Sequence, residues 1–411
     1  MEMARIFGLP AALLIVAVVA KRLAELTRIP DLIVLLVIGV SVGPVLHWVN
    51  PDNFKGAIGI LGTLALILIL FEGGLELRLQ QALRYFPAGL LLTILSFGLT
   101  LGLVTLMGKA LLHLQWLDCL LLGAALGCTS GAVVIPALQQ IPTPEPIKVT
   151  LTIEASLGEI IAVLMVGSLL TVGQDQSIVA GMALDFSQHI GVALLLGVSV
   201  GALWWRLWPL LAGTPYSNFL NLGVVLGIYA VGRYFNGSGL LAVLIFGITL
   251  ANLPRTPHMT RQGARMLAFH SELGFMVRSF FFVVLGVVAE VVSRDRVVPI
   301  LGILAALLLA RFLAVQVSCY AVRDVARTDT ELLFWMMPRG LVTAVLALEI
   351  VAVRGAVFSF LPAMAFTVVL ITNLFIIWGS VRASKVSGVG PRTDASVLLP
   401  AQADSAAAGQ A

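Results

Sequence analysis

LGCTSGAVVIP, residues Leu126 to Pro136, breaks an apolar run with Thr129, Ser130, Gly131 and Pro136, and FWMMPRGLVTA, Phe334 to Ala344, breaks a later one with Pro338, Arg339 and Gly340. Proline removes a backbone donor and glycine weakens a helix, so each stretch reads as a helix interrupted near its middle. Taken singly, either has a plainer explanation: small residues let helices pack closely, and Pro338 can kink a helix without ending it. The pair points further. Interrupted helices at corresponding positions of two inverted repeats mark a transporter site, because freed carbonyls and half-helix ends coordinate a cation.

Everything around these two stretches is apolar. The 411 residues are 59% hydrophobic and 11% charged, with a mean hydropathy of +1.04, where an ordinary soluble domain carries about 25% charged residues. This is the composition of an all-α polytopic membrane protein. Its apolar runs of about 15 to 25 residues approach the roughly 20 that a helix needs to cross the hydrocarbon. They predict thirteen spans, near 6–22, 29–49, 57–77, 87–111, 117–139, 149–171, 188–210, 217–233, 238–253, 268–291, 298–320, 331–352 and 359–380. The breaks fall in spans 5 and 12. They correspond if spans 4–6 and 11–13 are inverted copies whose two broken helices cross, and an offset of seven spans, being odd, does reverse orientation. Arg339 would then neutralise the negative helix ends facing each other there.

Of the 25 Lys and Arg, fifteen fall in loops that are cytoplasmic if the C-terminus is inside, seven lie on the other side, and Arg278, Arg311 and Arg339 fall within spans. Positive residues collect on the cytoplasmic side, so the N-terminus is expected outside and the C-terminus inside. The first apolar run, ALLIVAVVA, precedes Lys21 instead of following a charge, and so reads as a span and not as a signal peptide. Cys119, Cys128 and Cys319 lie in or beside spans and suit small buried residues. Residues 386–411 are too poor in large apolar side chains to order themselves and are expected to be a mobile cytoplasmic tail. The membrane domain, 1–385, must therefore do the work. No cofactor and no nucleic-acid partner are expected.

An ionisable residue inside a span is a functional hypothesis by default. Glu72, Glu76, Glu272 and Glu349 lie near span ends, where headgroup water solvates a carboxylate. Glu154 and Glu159, in LTIEASLGEII (Leu151–Ile161), do not. Five residues turn a helix by about 140° beyond a full turn, so these two glutamates face different ways and have different jobs. Arg311, deep in span 11, needs a buried carboxylate partner. Glu154 is assigned to it as a structural ion pair, which leaves Glu159 free to titrate. Glu72 and Glu76 are kept as secondary candidates.

RIPDLIVLLVIGVSVGP (28–44), LFEGGLELRL (70–79), SFFFVVLGV (279–287), Arg311 and PRGL (338–341) resemble, in this order and spacing, the monovalent cation:proton antiporter superfamily, the sodium/proton exchangers. The resemblance covers about residues 10–380. It implies that Glu154 matches the family's ion-paired glutamate and Glu159 its cation-binding aspartate, with Thr129, Ser130, Ser156 and Gly158 around the ion. The sequence departs from the family at that spot. Ser130 and Gly131 stand where the fifth helix usually reads Asp-Pro, and Gly158 replaces an Asn or Asp, so that the longer Glu159 is expected to fill the space left at 158.

The resemblance further implies secondary antiport of Na⁺ or K⁺ against H⁺ in the cell (inner) membrane, with the monovalent cation held at Glu159. Proton and cation compete for one carboxylate, and only the neutralised site crosses, which makes exchange obligatory. With no second acid beside Glu159, the exchange is expected to be electroneutral. An ion-carrying core, about 87–171 and 298–380, would move against a dimerising scaffold, about 6–77 and 217–291, in a homodimer. Two other readings stay open: sodium-coupled uptake of an organic anion on a related inverted-repeat fold, and an intramembrane serine hydrolase using Ser130. The hydrolase needs a histidine at the same depth, for which His270 is the candidate. A zinc hydrolase would need H-E-x-x-H, which does not occur.

Overall fold

The structure, a computed structural model, describes residues 2–386 except 28–30, 50–53, 78, 141–142, 172–177, 212–215, 236, 255–256, 290–293 and 322–329. Past Val386 the expected tail lies outside the described residues, as do Arg78 and the side chains of Glu76 and Pro136. Regular structure among the described residues is helical throughout. The helices are α1 (Glu2–Thr27), α2 (Asp31–Val40, prolonged by a π-helical turn, Ser41–Val45), α3 (Lys55–Glu76), α4 (Leu79–Leu112), α5 (Trp116–Ala125), α6 (Gly131–Gln140), α7 (Glu145–Thr171) and α8 (Ile178–Leu211). They continue with α9 (Ser217–Tyr234), α10 (Gly239–Asn252), α11 (Pro257–Val288), α12 (Val297–Ala321), α13 (Thr330–Trp335), α14 (Leu341–Arg354) and α15 (Leu361–Val386).

The interruptions fall where the sequence puts them. One apolar run ends as α5 at Ala125 and resumes as α6 at Gly131, and another ends as α13 at Trp335 and resumes as α14 at Leu341. Among the described residues, seven helical stretches are long and apolar enough to cross a membrane, within α3, α4, α7, α8, α11, the 3₁₀ turn and helix α12, and α14 with the turn after it. Shorter apolar helices lie among them, including α2, α5, α10 and the first part of α15. The chain is a multi-pass helical membrane protein. Side chains such as Ile15, Leu195 and Leu210 are exposed on its outside, as a surface facing lipid requires. Helix α11 starts at Pro257 and not near 268, because hydropathy marks only the part of a helix that lies in hydrocarbon and its polar first turns run past it.

Packing falls into two groups. Helices α4, α5, α6, α7, α12, α13, α14 and α15 pack mainly on one another, led by α4 against α12 and α7, whereas α1, α2, α3, α8, α9, α10 and α11 form a second set around α3–α10, α8–α10 and α2–α11 contacts. Helix α8, which no domain range from the sequence included, belongs with the second set through α10 and α9. Lipid is as apolar as leucine, so helices in a membrane gain most from close backbone approach at small residues. Gly74 of α3 and Gly247 of α10 supply one such approach: a Cβ on Gly247 would lie 2.7 Å from the Phe71 carbonyl oxygen and 3.1 Å from Gly74 Cα. Gly39 and Gly286 do the same for α2 and α11.

Gly247→Leu is accordingly expected to lower the melting temperature in detergent by several degrees, as overpacking of about 1–3 kcal/mol does. Gly98→Leu, on α4 where a Cβ meets nothing within 4 Å, should melt like the parent. Equal melts for both variants would show that α3–α10 packing does not depend on Gly247.

Candidate functional site

The two breaks meet. The Ser130 amide donates to the Pro338 carbonyl (2.8 Å), and Gly340 lies so close to Ser130 that a Cβ on it would collide with the serine hydroxyl. Gly340 has extended backbone (φ −158°), so space and not conformation demands glycine there. Helices α6 and α14 both begin at this crossing, and α5 and α13 both end beside it. Two positive and two negative half-helix ends are thus buried together and need compensating charge.

Glu154 and Arg311 supply part of it. Glu154 Oε1 accepts from Arg311 Nη1 at 2.6 Å and from the Thr129 hydroxyl at 2.9 Å, and the two charged side chains are 3% and 1% exposed. The guanidinium does more than pair. Its Nε and Nη2 donate to the Leu333 carbonyl (2.9 and 2.7 Å), Nη2 also to the Met336 carbonyl (2.9 Å), and Nη1 reaches Ser96 Oγ of α4 (3.3 Å). Leu333 and Met336 mark the end of α13, whose carbonyls have no helical donors once the helix stops.

Arg339 is buried at the second break. Its Nη1 reaches Thr129 Oγ1 at 3.5 Å, its amide donates to Thr372 Oγ1 at 3.0 Å, and its carbonyl accepts from Asn373 Nδ2 at 2.8 Å, while Nε has no protein partner. Thr129 therefore links Arg339 to Glu154. Thr372 and Asn373 of α15, and Ser96, are site neighbours that sequence reasoning missed. Their signal was available, since an adjacent Thr and Asn inside an apolar span are as unusual there as a glutamate.

Glu159 points elsewhere, as the five-residue offset requires. Its Oε1 accepts from the Gly131 amide at 2.9 Å, the first N–H of α6, and its Oε2 has no protein partner although the residue is 1% exposed. No lysine or arginine pairs with it among the described residues. The buried Ser130 hydroxyl also lacks a partner, and Ser156 lies one turn earlier on the same face of α7. At Gly158 a Cβ would stand 3.8 Å from Cys128 Cα and Cβ and from the Thr129 amide, so the α7 backbone rests on the break with room for a methyl group. The arrangement offers an unbonded carboxylate oxygen and an unbonded hydroxyl at a stretch of unwound backbone, groups that suit a monovalent cation or a proton.

The secondary candidates lie apart. Glu72 sits against α11, its Oε2 3.8 Å from where a Gly274 Cβ would be, and the side chain of Glu76 lies outside the described residues. Glu272 and Glu349 are exposed. His270 is hydrogen-bonded to the Met266 carbonyl (2.8 Å) and to Asn221 (3.3 Å) in the other helix set, so it is no base for Ser130.

Residues 11–381 match the family model of the transmembrane sodium/hydrogen exchanger. The chain belongs to the sodium/hydrogen exchanger family. Among curated relatives it is 30% identical over 384 residues to the K(+)/H(+) antiporter NhaP2 of Shewanella sp. (strain ANA-3), a match over 90% of this chain and 64% of that one. It is 24% identical over 365 residues to Na(+)/H(+) antiporter 1 of Methanocaldococcus jannaschii, covering 85% and 84% of the two chains. The chain thus spans just under two thirds of the length of the NhaP2 relatives. The solved structure of the sodium proton antiporter MjNhaP1 from M. jannaschii at pH 8 shares its fold, with a TM-score of 0.76 at 21% identity over 94% of this chain and 100% of that one. The sodium/hydrogen exchanger family consists of transporters, and the hydrolase reading falls with the geometry of Ser130 and His270. Within this fold Glu159 caps the half-helix α6.

Arg311→Ala removes the bonds to two α13 carbonyl groups and strands Glu154, whereas Glu154→Ala leaves Arg311 on those carbonyls. Breaking a buried pair costs about 3–5 kcal/mol, so both variants should melt below the parent, and Arg311→Ala lowest. An equal or reversed order would show that the α13 carbonyls do not depend on Arg311.

Proposed function

We propose that the chain is a secondary antiporter that exchanges Na⁺ or K⁺ for H⁺ by alternating access. One observation carries the reading: Glu159 is a fully buried carboxylate at a helix crossing whose protein partner is the Gly131 amide, with its second oxygen unbonded. A buried carboxylate without a counter-charge costs several kcal/mol. A proton or a monovalent cation removes that cost. The two compete for one site, and the empty charged site is held back from crossing. The Thr129 hydroxyl is already bonded to Glu154, so Thr129 would serve the cation through its carbonyl, with Ser130 and Ser156 through their hydroxyls. Gly158 leaves the room that a hydrated or larger cation needs.

The names of the relatives support both K⁺/H⁺ and Na⁺/H⁺ exchange as the chemistry. Helices α4–α7 and α12–α15 would form the ion-carrying core, and the remaining helices the scaffold, which as a homodimer would hold its place in the cell inner membrane with the N-terminus outside and the C-terminus inside. Organic-anion symport has less in its favour, because it leaves Glu159 without a role.

Glu159→Gln keeps the volume and cannot exchange a proton. In proteoliposomes with a pH-sensitive dye it should abolish cation-driven proton movement while melting as a folded protein. Retained exchange in a folded Gln variant would remove Glu159 as the carrier.

One carboxylate carries one proton or one cation, so no net charge crosses. The term of about 2.3 kcal/mol per charge per 100 mV then drops out of the driving force. With a fixed gradient of the transported cation, clamping the potential between zero and about −100 mV should leave the null-point ΔpH unchanged. A null point that moves with voltage would require a second charge site.

A further inference from the structure

Three arginines lie in spans, and two of them, Arg311 and Arg339, serve the crossing. The third, Arg278 of α11, belongs to the other helix set. Its Nη2 stands 3.7 Å from Asp31 Oδ2, at the first turn of α2 in the same set, with the side chains 18% and 27% exposed. Its Nη1 reaches out of that set and donates to the main-chain carbonyl of Ala132 in α6, at 3.4 Å.

That carbonyl is available for a reason written in the sequence. In a helix the carbonyl of residue 132 accepts from the N–H of residue 136, and residue 136 is proline, which has none. Within a membrane a carbonyl freed by proline is satisfied from a neighbouring helix. Here the donor comes from across the boundary between the two helix sets. Ala132 directly follows Gly131, whose amide holds Glu159 Oε1 at 2.9 Å. A charged donor placed one residue from the carrier's own anchor is badly located for bulk stability alone. It is well located to register α6.

We propose that Arg278 is a positioning residue for ion exchange: fixed to Asp31 on the scaffold, it takes the carbonyl that Pro136 leaves without a donor, and so holds α6, with the amide that binds Glu159, in one of the two access states. The proposal rests on the exchange reading above, in which the two helix sets move past each other. Such a contact is made in one state and lost in the other. At 3.4 Å the bond to Ala132 is loose, which suits a contact that breaks in every cycle. Its loss destabilises only the state that contains it and shifts the balance between inward- and outward-facing forms.

The test is a double-mutant cycle on the full chain with Arg278→Ala and Pro136→Ala. The proline change touches no charge; it restores an N–H that claims the Ala132 carbonyl and so removes the acceptor from Arg278. In detergent, Arg278→Ala should lower the melting temperature when residue 136 is proline and have clearly less effect when it is alanine. Additive melting shifts would overturn the contact and the proposal with it. In proteoliposomes, the ratio of apparent KM for the cation on the two faces should change about fivefold, in the same direction, in either single variant, which is the scale of one ordinary hydrogen bond. The double variant should show no more change than either single one. A structural role alone would lower kcat equally from both faces, and an unchanged KM ratio with coupled melting would overturn the positioning role. Absence of cation–proton exchange in the parent protein would overturn the exchange reading itself, whereas exchange in the parent with unchanged sidedness in the variants overturns this proposal only.

Discussion

Arg311 is the side chain on which the helix crossing depends. A membrane interior supplies no water to a broken helix, so the carbonyls at the end of α13 need a donor from the protein. Arginine alone brings five N–H groups in a fixed fork with a permanent charge. Arg311 spends them on the carbonyls of Leu333 and Met336, on Glu154, and on Ser96. In doing so it joins α12 to α13, α7 and α4. Glu154 extends the network through the Thr129 hydroxyl to the first break and on to Arg339. Both interruptions are thereby held by one chain of charged and polar groups.

That chain explains why two glutamates five residues apart on α7 behave so differently. Glu154 meets a full cationic charge, and its hydrogen-bonding oxygen is shared between Arg311 and Thr129. Glu159 meets only the partial positive end of a ten-residue half-helix, an interaction worth far less than an ion pair and typically within about 2 kcal/mol. One site is permanently neutralised by the protein. The other has no cationic partner among the described residues. Glu159 also compensates the end of α6, through its bond from the Gly131 amide.

The glycines show a related economy of space. Gly340 lets α14 begin against Ser130, and Gly158 lets α7 rest on the unwound backbone at Cys128 and Thr129. At Gly340 the backbone comes nearer to the crossing than any side chain would allow, whereas Gly158 leaves room for a methyl group.

The sequence by itself determined the class of molecule, the location of both breaks and the separation of Glu154 from Glu159. Each of these follows from local chemistry: hydropathy over a span, the missing N–H of proline, and the 100° turn per residue of a helix. It also carried the need of Arg311 for a carboxylate, because a buried guanidinium has few alternatives. Tertiary structure decided the rest. That Arg311 binds the end of α13 as well as Glu154, that Thr372 and Asn373 of α15 hold the backbone of Arg339, and that Glu159 caps α6 are contacts between residues up to 215 positions apart in the chain, as Arg311 and Ser96 are. No periodicity encodes them. They exist because the two broken helices must cross with every freed backbone group satisfied inside a medium without water, and only the packing of whole helices determines which side chain stands within reach of which carbonyl.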